Sequence, residues 1–263
     1  MLDDDQLIDA LERHMWSMWG PLGNGPGGRL TDTPTRLLVE TPLPQPPYNT
    51  VLRFLDDGTS GLQAQVDEVL AQYQSRPVTL AWMVHPTSPP DVRECLAARG
   101  LVMAEELFGM AAELTALDLE VTLAEGVELQ EATVEHTAEW VEMVDVRYGL
   151  DAVGSSFVRQ LMEDNIGHAR WFLARVDGVP VSKAILHVTD DIAGIYGVAT
   201  FDGGRGKGLA TALTKHALRV ARDSGCELGL LHSTPMAREL YRSIGFRDVA
   251  TFEIWAEPDR VYL

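Results

Sequence analysis

The stretch Tyr196 to Leu213, YGVATFDGGRGKGLATAL, concentrates more chemistry than any other part of the sequence. Glycines at 203, 204, 206 and 208 separate an apolar run from an amphipathic one. Glycine has no Cβ, so a backbone rich in it can come close to a ligand. A helix that starts just beyond aims its first amides and the positive end of its dipole back into the loop. Arg205 and Lys207 add formal charge, and the combination suits a pyrophosphate. The spacing matches neither G-x-G-x-x-G with an acidic residue about 20 positions on nor a Walker loop ending in Gly-Lys-Ser/Thr, which disfavours NAD and ATP. Taken alone, the same cluster is equally a plain tight turn. A second cluster follows at Thr234 to Phe246, TPMARELYRSIGF, where Tyr241 offers a phenolic proton donor on a short helix.

Both clusters need elements to hold them. Trp171 to Val176 and Val179 to Val188 read as strands joined at Asp177-Gly178, a strong hairpin signal, and Asp190-Asp191 turns the chain into a third strand, Ile192 to Thr200. The helix from about Lys207 to Asp223 carries Leu209, Leu213, Ala217 and Val220 on one stripe. Gly225 stops it, and a strand Cys226 to His232, a helix Met236 to Ser243 and a strand near Thr251 to Trp255 follow. Upstream, Thr133 caps a helix reaching about Val144, and Ser155 to Glu163 forms another. The first half reads as helices Asp3 to Met18, Gly61 to Gln74 and Pro90 to Ala98, with strands Arg36 to Glu40, Val51 to Leu55 and Val78 to Val84. Loops fall at Gly20 to Gly28 and Thr41 to Thr50. Antiparallel strands that feed a strand, helix, strand unit predict an α/β (α+β) fold: a mixed, mostly antiparallel central sheet flanked by helices.

The sequence also resembles itself. A shift of 145 residues aligns Asp57 with Asp202, Gly58 with Gly203, Gly61 with Gly206, Ser88 with Ser233, Pro90 with Pro235, Arg93 with Arg238, Glu94 with Glu239 and Gly100 with Gly245. The helix and strand assignments line up at the same shift, which marks a tandem pseudo-repeat with domains at 1–120 and 121–263.

Composition narrows the function classes. The 263 residues hold 21 basic and 39 acidic side chains, a net charge of −18, so attraction to nucleic acid or anionic lipid has no overall support and cationic partners are favoured. No apolar run approaches the roughly 18 residues that cross a bilayer. The start Met1-Leu2-Asp3-Asp4-Asp5 is unlike a basic leader, and with only Cys95 and Cys226 present a reduced, cytoplasmic setting with structural thiols is expected. No metal site is expected, and self-association is compatible with the sequence.

Arg205-Gly206-Lys207-Gly208-Leu209-Ala210 resembles the R/Q-x-x-G-x-G/A signature of the GNAT acetyltransferase superfamily, and Val198-Ala199-Thr200 is similar to the strand that precedes it there. Thr234 to Phe246 resembles the family's later helix, usually Asn, two residues, Ala, two residues, Leu-Tyr, then Gly-Phe. Two such motifs in order, over a resemblance running from about Val127 to Trp255, are far more specific than either alone. The resemblance implies an acetyl-CoA-dependent N-acetyltransferase acting by direct attack of a primary amine in a ternary complex. It assigns the pantetheine arm to backbone groups at Val198, Ala199 and Thr200, and the pyrophosphate to loop amides of Arg205, Gly206, Lys207, Gly208, Leu209 and Ala210. Strand Cys226 to His232 is expected to splay from strand Ile192 to Thr200 and leave a cleft. Tyr241 matches the residue that in many members protonates the departing thiolate.

Departures from the pattern carry information too. Thr234 stands where the family often has Asn, and Asp202 puts a negative charge beside the phosphate loop. Gly194 lies where some protein-lysine acetyltransferases place a glutamate base. An alkylamine must lose a proton before it attacks, and His232, His187 and Glu227 are the candidates to take it, although a lone strand histidine is more often structural. Tyr196 either lines the acceptor pocket or packs in the core, and Arg147 to Asp151 occupies the region where family members often bind acceptor. The expected acceptor is a small-molecule or peptide amine, cationic in view of the acidic chain. At the repeat shift, Ser60, Gln63, Gln65 and Leu96 replace Arg205, Gly208, Ala210 and Tyr241, so the first half reads as a degenerate copy packing against the active one. The alternative is a non-catalytic acyl-CoA-binding or regulatory module with the same fold.

Overall fold

The structure, a computed structural model, describes residues 2–44, 48–74, 76–165 and 169–258, with the side chains of Arg147, Tyr148 and Asn165 excepted. Contacts divide the chain into two compact units. One joins Ile8–Phe108 to Ala250–Leu263 and is called here the N-terminal unit; the other joins Met1–Leu7 to Gly109–Val249 and is called the C-terminal unit.

The N-terminal unit contains most of α1 (Asp4–Trp19), then β1 (Arg29–Asp32), β2 (Arg36–Glu40), β3 (Thr50–Phe54), α2 (Leu62–Gln74), β4 (Ala81–Val84), α3 (Val92–Ala97) and the start of β5 (Val102–Glu113). β1/β2 and β2/β3 pair antiparallel, whereas β3/β4 pair parallel. Leu11 and Met15 of α1 are buried as the helical spacing requires, and Val66, Val69, Leu70 and Tyr73 of α2 close over Leu38, Val51, Phe54 and Trp82 of the sheet. The end of the last strand of the chain, β11 (Arg247–Ala256), completes this sheet by pairing antiparallel with β4, with Ile254 opposite Met83.

The C-terminal unit holds the end of β5, β6 (Val127–Ala132), α4 (Thr137–Tyr148), α5 (Ala152–Asn165), β7 (Ala169–Val176), β8 (Val179–Thr189), β9 (Ile192–Thr200), α6 (Leu209–Asp223), β10 (Leu228–Ser233), α7 (Arg238–Ile244) and the start of β11. Its strand order is β5-β10-β9-β8-β7-β6. The pairs from β6 to β9 are antiparallel and β9/β10 is parallel, so the sheet is mixed and mostly antiparallel with helices against it. Asp177 and Gly178 both have positive φ, 50° and 81°, the conformation a two-residue hairpin turn needs. On α6 the buried stripe is Leu209, Leu213, Ala217, Leu218 and Ala221. The expected Val220 is only half-buried, because 3.6 residues per turn carry the stripe around to 218 and 221.

The series β1-β2-β3-α2-β4-α3-β5 recurs as β7-β8-β9-α6-β10-α7-β11 at close to the 145-residue shift, with the same antiparallel and parallel senses in each unit. A linear cut after Glu120 nevertheless differs from the compact units. Gly109–Glu113 of β5 lies beside β10, where Leu114 N–H bonds Glu227 O at 2.8 Å, while Ala250–Ala256 of β11 belongs with β4. Three strands fall outside the sequence expectation: β1, β5 and β6. Cys95 and Cys226 are buried free thiols, and burial raises the pKa of both. Among the described residues no helix is long and apolar enough to cross a membrane.

Candidate active site

Parallel strands bring their carboxyl ends to one edge of a sheet, where ligands of α/β folds collect. In the C-terminal unit that edge holds the ends of β9 and β10, the loop after β9 and the short helix α7 after β10. The β9/β10 ladder runs from Ile192 opposite Leu228 only to Ile195 opposite Leu231. Tyr196 to Thr200 continue past that last rung while still paired to β8, so one edge of β9 leaves its parallel neighbour.

A bulge marks the departure. Ile185 faces Tyr196 but Lys183 faces Ala199, so β9 carries one extra residue there. Gly197 absorbs it at φ 57°, and a Cβ in its place would stand 3.2 Å from Ile185 Cδ1. Beyond the bulge Ser182 Oγ donates to Ala199 O at 2.9 Å and lies 2.8 Å from Thr200 Oγ1, fixing the strand end.

The glycine loop continues from there into α6. Gly208 caps the helix with φ 70° and no side-chain cap. The first intrahelical bond is donated by Ala212 N–H to Gly208 O at 3.0 Å, which leaves the amides of Leu209, Ala210 and Thr211 ahead of the ladder. A Cβ at Gly206 or Gly208 would meet nothing within 4 Å, so this backbone is open to a ligand, whereas one at Gly204 would stand 2.9 Å from Val181 Cγ2. Arg205 is exposed, its Nε 3.7 Å from Asp202 Oδ1; an ion pair so solvated is weak, which leaves the arginine available to an anion. Lys207 is exposed as well.

Tyr241, on α7, is 7% exposed and sets its ring edge-on to Phe246 at 6.3 Å. Burial pushes its phenol up to about 12, so it carries its proton throughout the neutral range. Half-buried Thr234 follows the last residue of β10, and its carbonyl accepts from Ser233 Oγ at 2.8 Å and Ala237 N–H at 3.1 Å.

The structure sorts the candidate bases by edge. Glu227 is exposed and precedes β10, at the end remote from Ser233. His187 pairs with Gly194, upstream of the bulge. His232, near the end of β10, is on the same edge as Thr200 and Tyr241's helix. Tyr196 is 6% exposed and burial raises its pKa. Of the stretch Arg147 to Asp151, the side chains of Arg147 and Tyr148 lie outside the described residues.

One residue of this region escapes the sequence reading. Lys183 is 7% exposed, its Nζ 3.4 Å from Gly197 O and 4.7 Å from the centroid of Trp140, and burial pushes it down to about 8. Its signal in the sequence was a single lysine inside the run Val181 to Leu186.

A bulged strand, an open glycine loop and a helix N-terminus are thus gathered where two parallel strands part, an arrangement whose free amides can accommodate an anion. Residues 137–246 match the model of the Acetyltransferase (GNAT) family, and this segment is a domain of that family. Among solved structures, the chain is similar to a GCN5-related N-acetyltransferase from Kribbella flavida, 19% identical, with 95% of each chain covered and a TM-score of 0.68. It is similar also to a tandem GNAT protein from the clavulanic acid biosynthesis pathway, 17% identical over 88% of this chain and 80% of that one, TM-score 0.62. A GCN5-related N-acetyltransferase from Sphaerobacter thermophilus aligns at 18% identity over 73% of this chain and 65% of that one, TM-score 0.60. At these identities the likeness shows a shared fold. No curated protein matches the chain.

Proposed function

We propose that the C-terminal unit is an acetyl-CoA-dependent N-acetyltransferase that transfers the acetyl group to a primary amine by direct attack in a ternary complex. The observation that carries this reading is the open loop from Arg205 to Ala210, which runs into the N-terminus of α6 at the edge where β9 leaves β10. Amides of that loop, with the helix dipole and the charges of Arg205 and Lys207, receive the pyrophosphate. The unpaired edge at Val198, Ala199 and Thr200 receives the pantetheine arm as an added strand would, and an amide of this edge polarises the thioester carbonyl. Thr234 borders the same arm from the end of β10. Tyr241, protonated at neutral pH, gives its proton to the leaving sulfur of coenzyme A. The amine attacks the carbonyl carbon, the carbon–sulfur bond breaks, and the nitrogen proton passes to His232 or to water. A net charge of −18 favours a cationic amine, small-molecule or peptide, as acceptor.

The N-terminal unit lacks the equivalent loop. Gln65 fills that place: its Nε2 donates to Asp56 Oδ1 at 2.7 Å and to Ser60 O at 2.8 Å, and its Oε1 accepts from Asp57 N–H at 3.2 Å. A donor there that an anion could use, Asp57 N–H, is thus taken by a side chain, and the Asp56 carboxylate and Ser60 carbonyl beside it oppose a phosphate, in keeping with a degenerate copy.

Titration calorimetry with acetyl-CoA and with coenzyme A tests the reading. Wild type is expected to bind near one equivalent at micromolar affinity, Gly208→Glu to bind neither because its carboxylate occupies the phosphate position, and Gly208→Ala to retain both. An absence of wild-type binding refutes the reading. Binding without product across a broad amine panel favours a non-catalytic module.

A further inference from the structure

Lys183 sits on β8 with its side chain on the sheet face shared by Trp171, Ile185 and Tyr196. Trp140 of α4 packs edge-on against Trp171 at 4.7 Å and lies under the ammonium at the same distance. Among the described residues no carboxylate comes within ion-pair distance of Lys183, and burial is what moves its pKa. A desolvated ammonium without a counter-charge is costly, and an apolar side chain of similar length would fill this slot at lower cost. What the ammonium touches therefore matters. Its hydrogen bond goes to Gly197 O, at the bulge, where the absence of a Cβ leaves the approach open; a Cβ at Gly197 would stand 3.7 Å from Nζ.

Gly197 C=O and Val198 N–H are the two ends of one trans peptide and point in opposite directions. A hydrogen bond accepted by the carbonyl polarises the unit and strengthens the amide as a donor. We propose that Lys183 is a positioning residue: its ammonium holds the Gly197–Val198 peptide with the carbonyl turned toward β8 and the Val198 N–H turned toward the unpaired edge, polarised to stabilise the thioester carbonyl. This rests on the acetyltransferase reading above. Arginine in its place keeps the charge, methionine removes it, and deprotonation of Lys183 itself switches it off. The opposite assignment, Lys183 as acceptor of the amine proton, requires the neutral form and therefore has the opposite pH dependence.

The charged and titratable groups around it are few. On the same sheet face stand Tyr196 of β9, which burial keeps neutral, His187 of β8, Arg175 of β7, which is held by Glu139 of α4, and exposed Glu128 of β6, opposite Arg175. Glu142 and Asp145 of α4 and Arg159, Glu163 and Asp164 of α5 are exposed, and His216 of α6 packs on Phe172, on the other face.

Isotope-edited infrared spectroscopy of [1-13C]acetyl-CoA bound to the 263-residue chain, from pH 6.5 to 9.5, tests the proposal without an acceptor. At pH 6.5 the carbonyl band of the wild-type complex is expected at lower wavenumber than in solution. That displacement should fade as pH passes 8, be mostly lost at every pH in Lys183→Met, and persist across the range in Lys183→Arg. A Lys183→Met complex with the wild-type band position overturns the proposal. So does a wild-type displacement that grows with pH, which assigns the proton-acceptor role instead. Calorimetry on the same samples separates the two levels: if wild type takes up no acetyl-CoA, the acetyltransferase reading falls and this proposal with it. Should Lys183→Met fail to fold, the wild-type pH series against Lys183→Arg still decides.

Discussion

Replacing Lys183 with methionine should stabilise the protein, and the gain should shrink as pH rises. Burial lowers the lysine from 10.5 to about 8, and among the described residues no opposite charge offsets it. At about 1.4 kcal/mol per pH unit, that displacement places roughly 3 kcal/mol of instability on the folded chain at pH 7. Below pH 8 both folded and unfolded chains hold the proton, so the full cost is present and constant. Between about 8 and 10.5 the unfolded chain still binds the proton while the folded chain has released it, so wild-type stability climbs with pH relative to the variant. The advantage of Lys183→Met should fall by about 2 kcal/mol between pH 7.5 and pH 10. Methionine matches the lysine stem in length and leaves unmade the 3.4 Å bond to Gly197 O and the ammonium's contact with the Trp140 ring, losses smaller together than the ammonium's desolvation. Urea denaturation of both proteins, followed by circular dichroism across that range, measures the difference, and every other titrating group cancels in it. A difference that stays flat with pH would show that the ammonium is compensated. A variant less stable than wild type at pH 7 would refute the argument outright, since it would make the charge a net support of the fold.

Two further substitutions probe the site and its frame. Tyr241→Phe keeps the edge-on contact to Phe246 and removes the proton donor, so turnover should fall by about 10²-fold with acetyl-CoA affinity unchanged. Steady-state kinetics beside calorimetry check this, and unchanged turnover across pH removes Tyr241 as the acid. Gly245→Ala places a Cβ 2.5 Å from Leu117 Cδ2 at a residue with φ 118°, and should cost about 2 kcal/mol of stability from strain and crowding, measured by equilibrium denaturation.

Local sequence determined a good deal of this protein. The hairpin at Asp177-Gly178, the strand Ile192–Thr200 and the helix entered through Gly208 follow from short-range rules: backbone conformations that glycine adopts cheaply, and an apolar stripe at helical spacing. The motif around Arg205 to Ala210 and the tyrosine at 241 are legible for the same reason, because the roles proposed for them, phosphate binding and proton donation, need particular residue types at fixed spacing. The tandem repeat also showed, faintly, through its shared turn residues.

Tertiary structure decided the rest. β5 contains Val102-Met103-Ala104-Glu105-Glu106-Leu107, mostly helix formers, yet it is a strand, because a ladder supplied by distant residues outweighs weak local preference. The placement of Ala250–Ala256 with β4 and of Gly109–Glu113 beside β10 depends on which unsatisfied strand edge each segment meets, and no local pattern encodes that. Where β9 leaves β10 is fixed by a bulge that only cross-strand register reveals. Lys183 acquires its character in the same way: in the sequence it is one lysine among apolar residues, and its unpaired burial against Trp140 and Gly197 exists only once α4, β8 and β9 have come together, since desolvation is a property of the packed surroundings rather than of the residue.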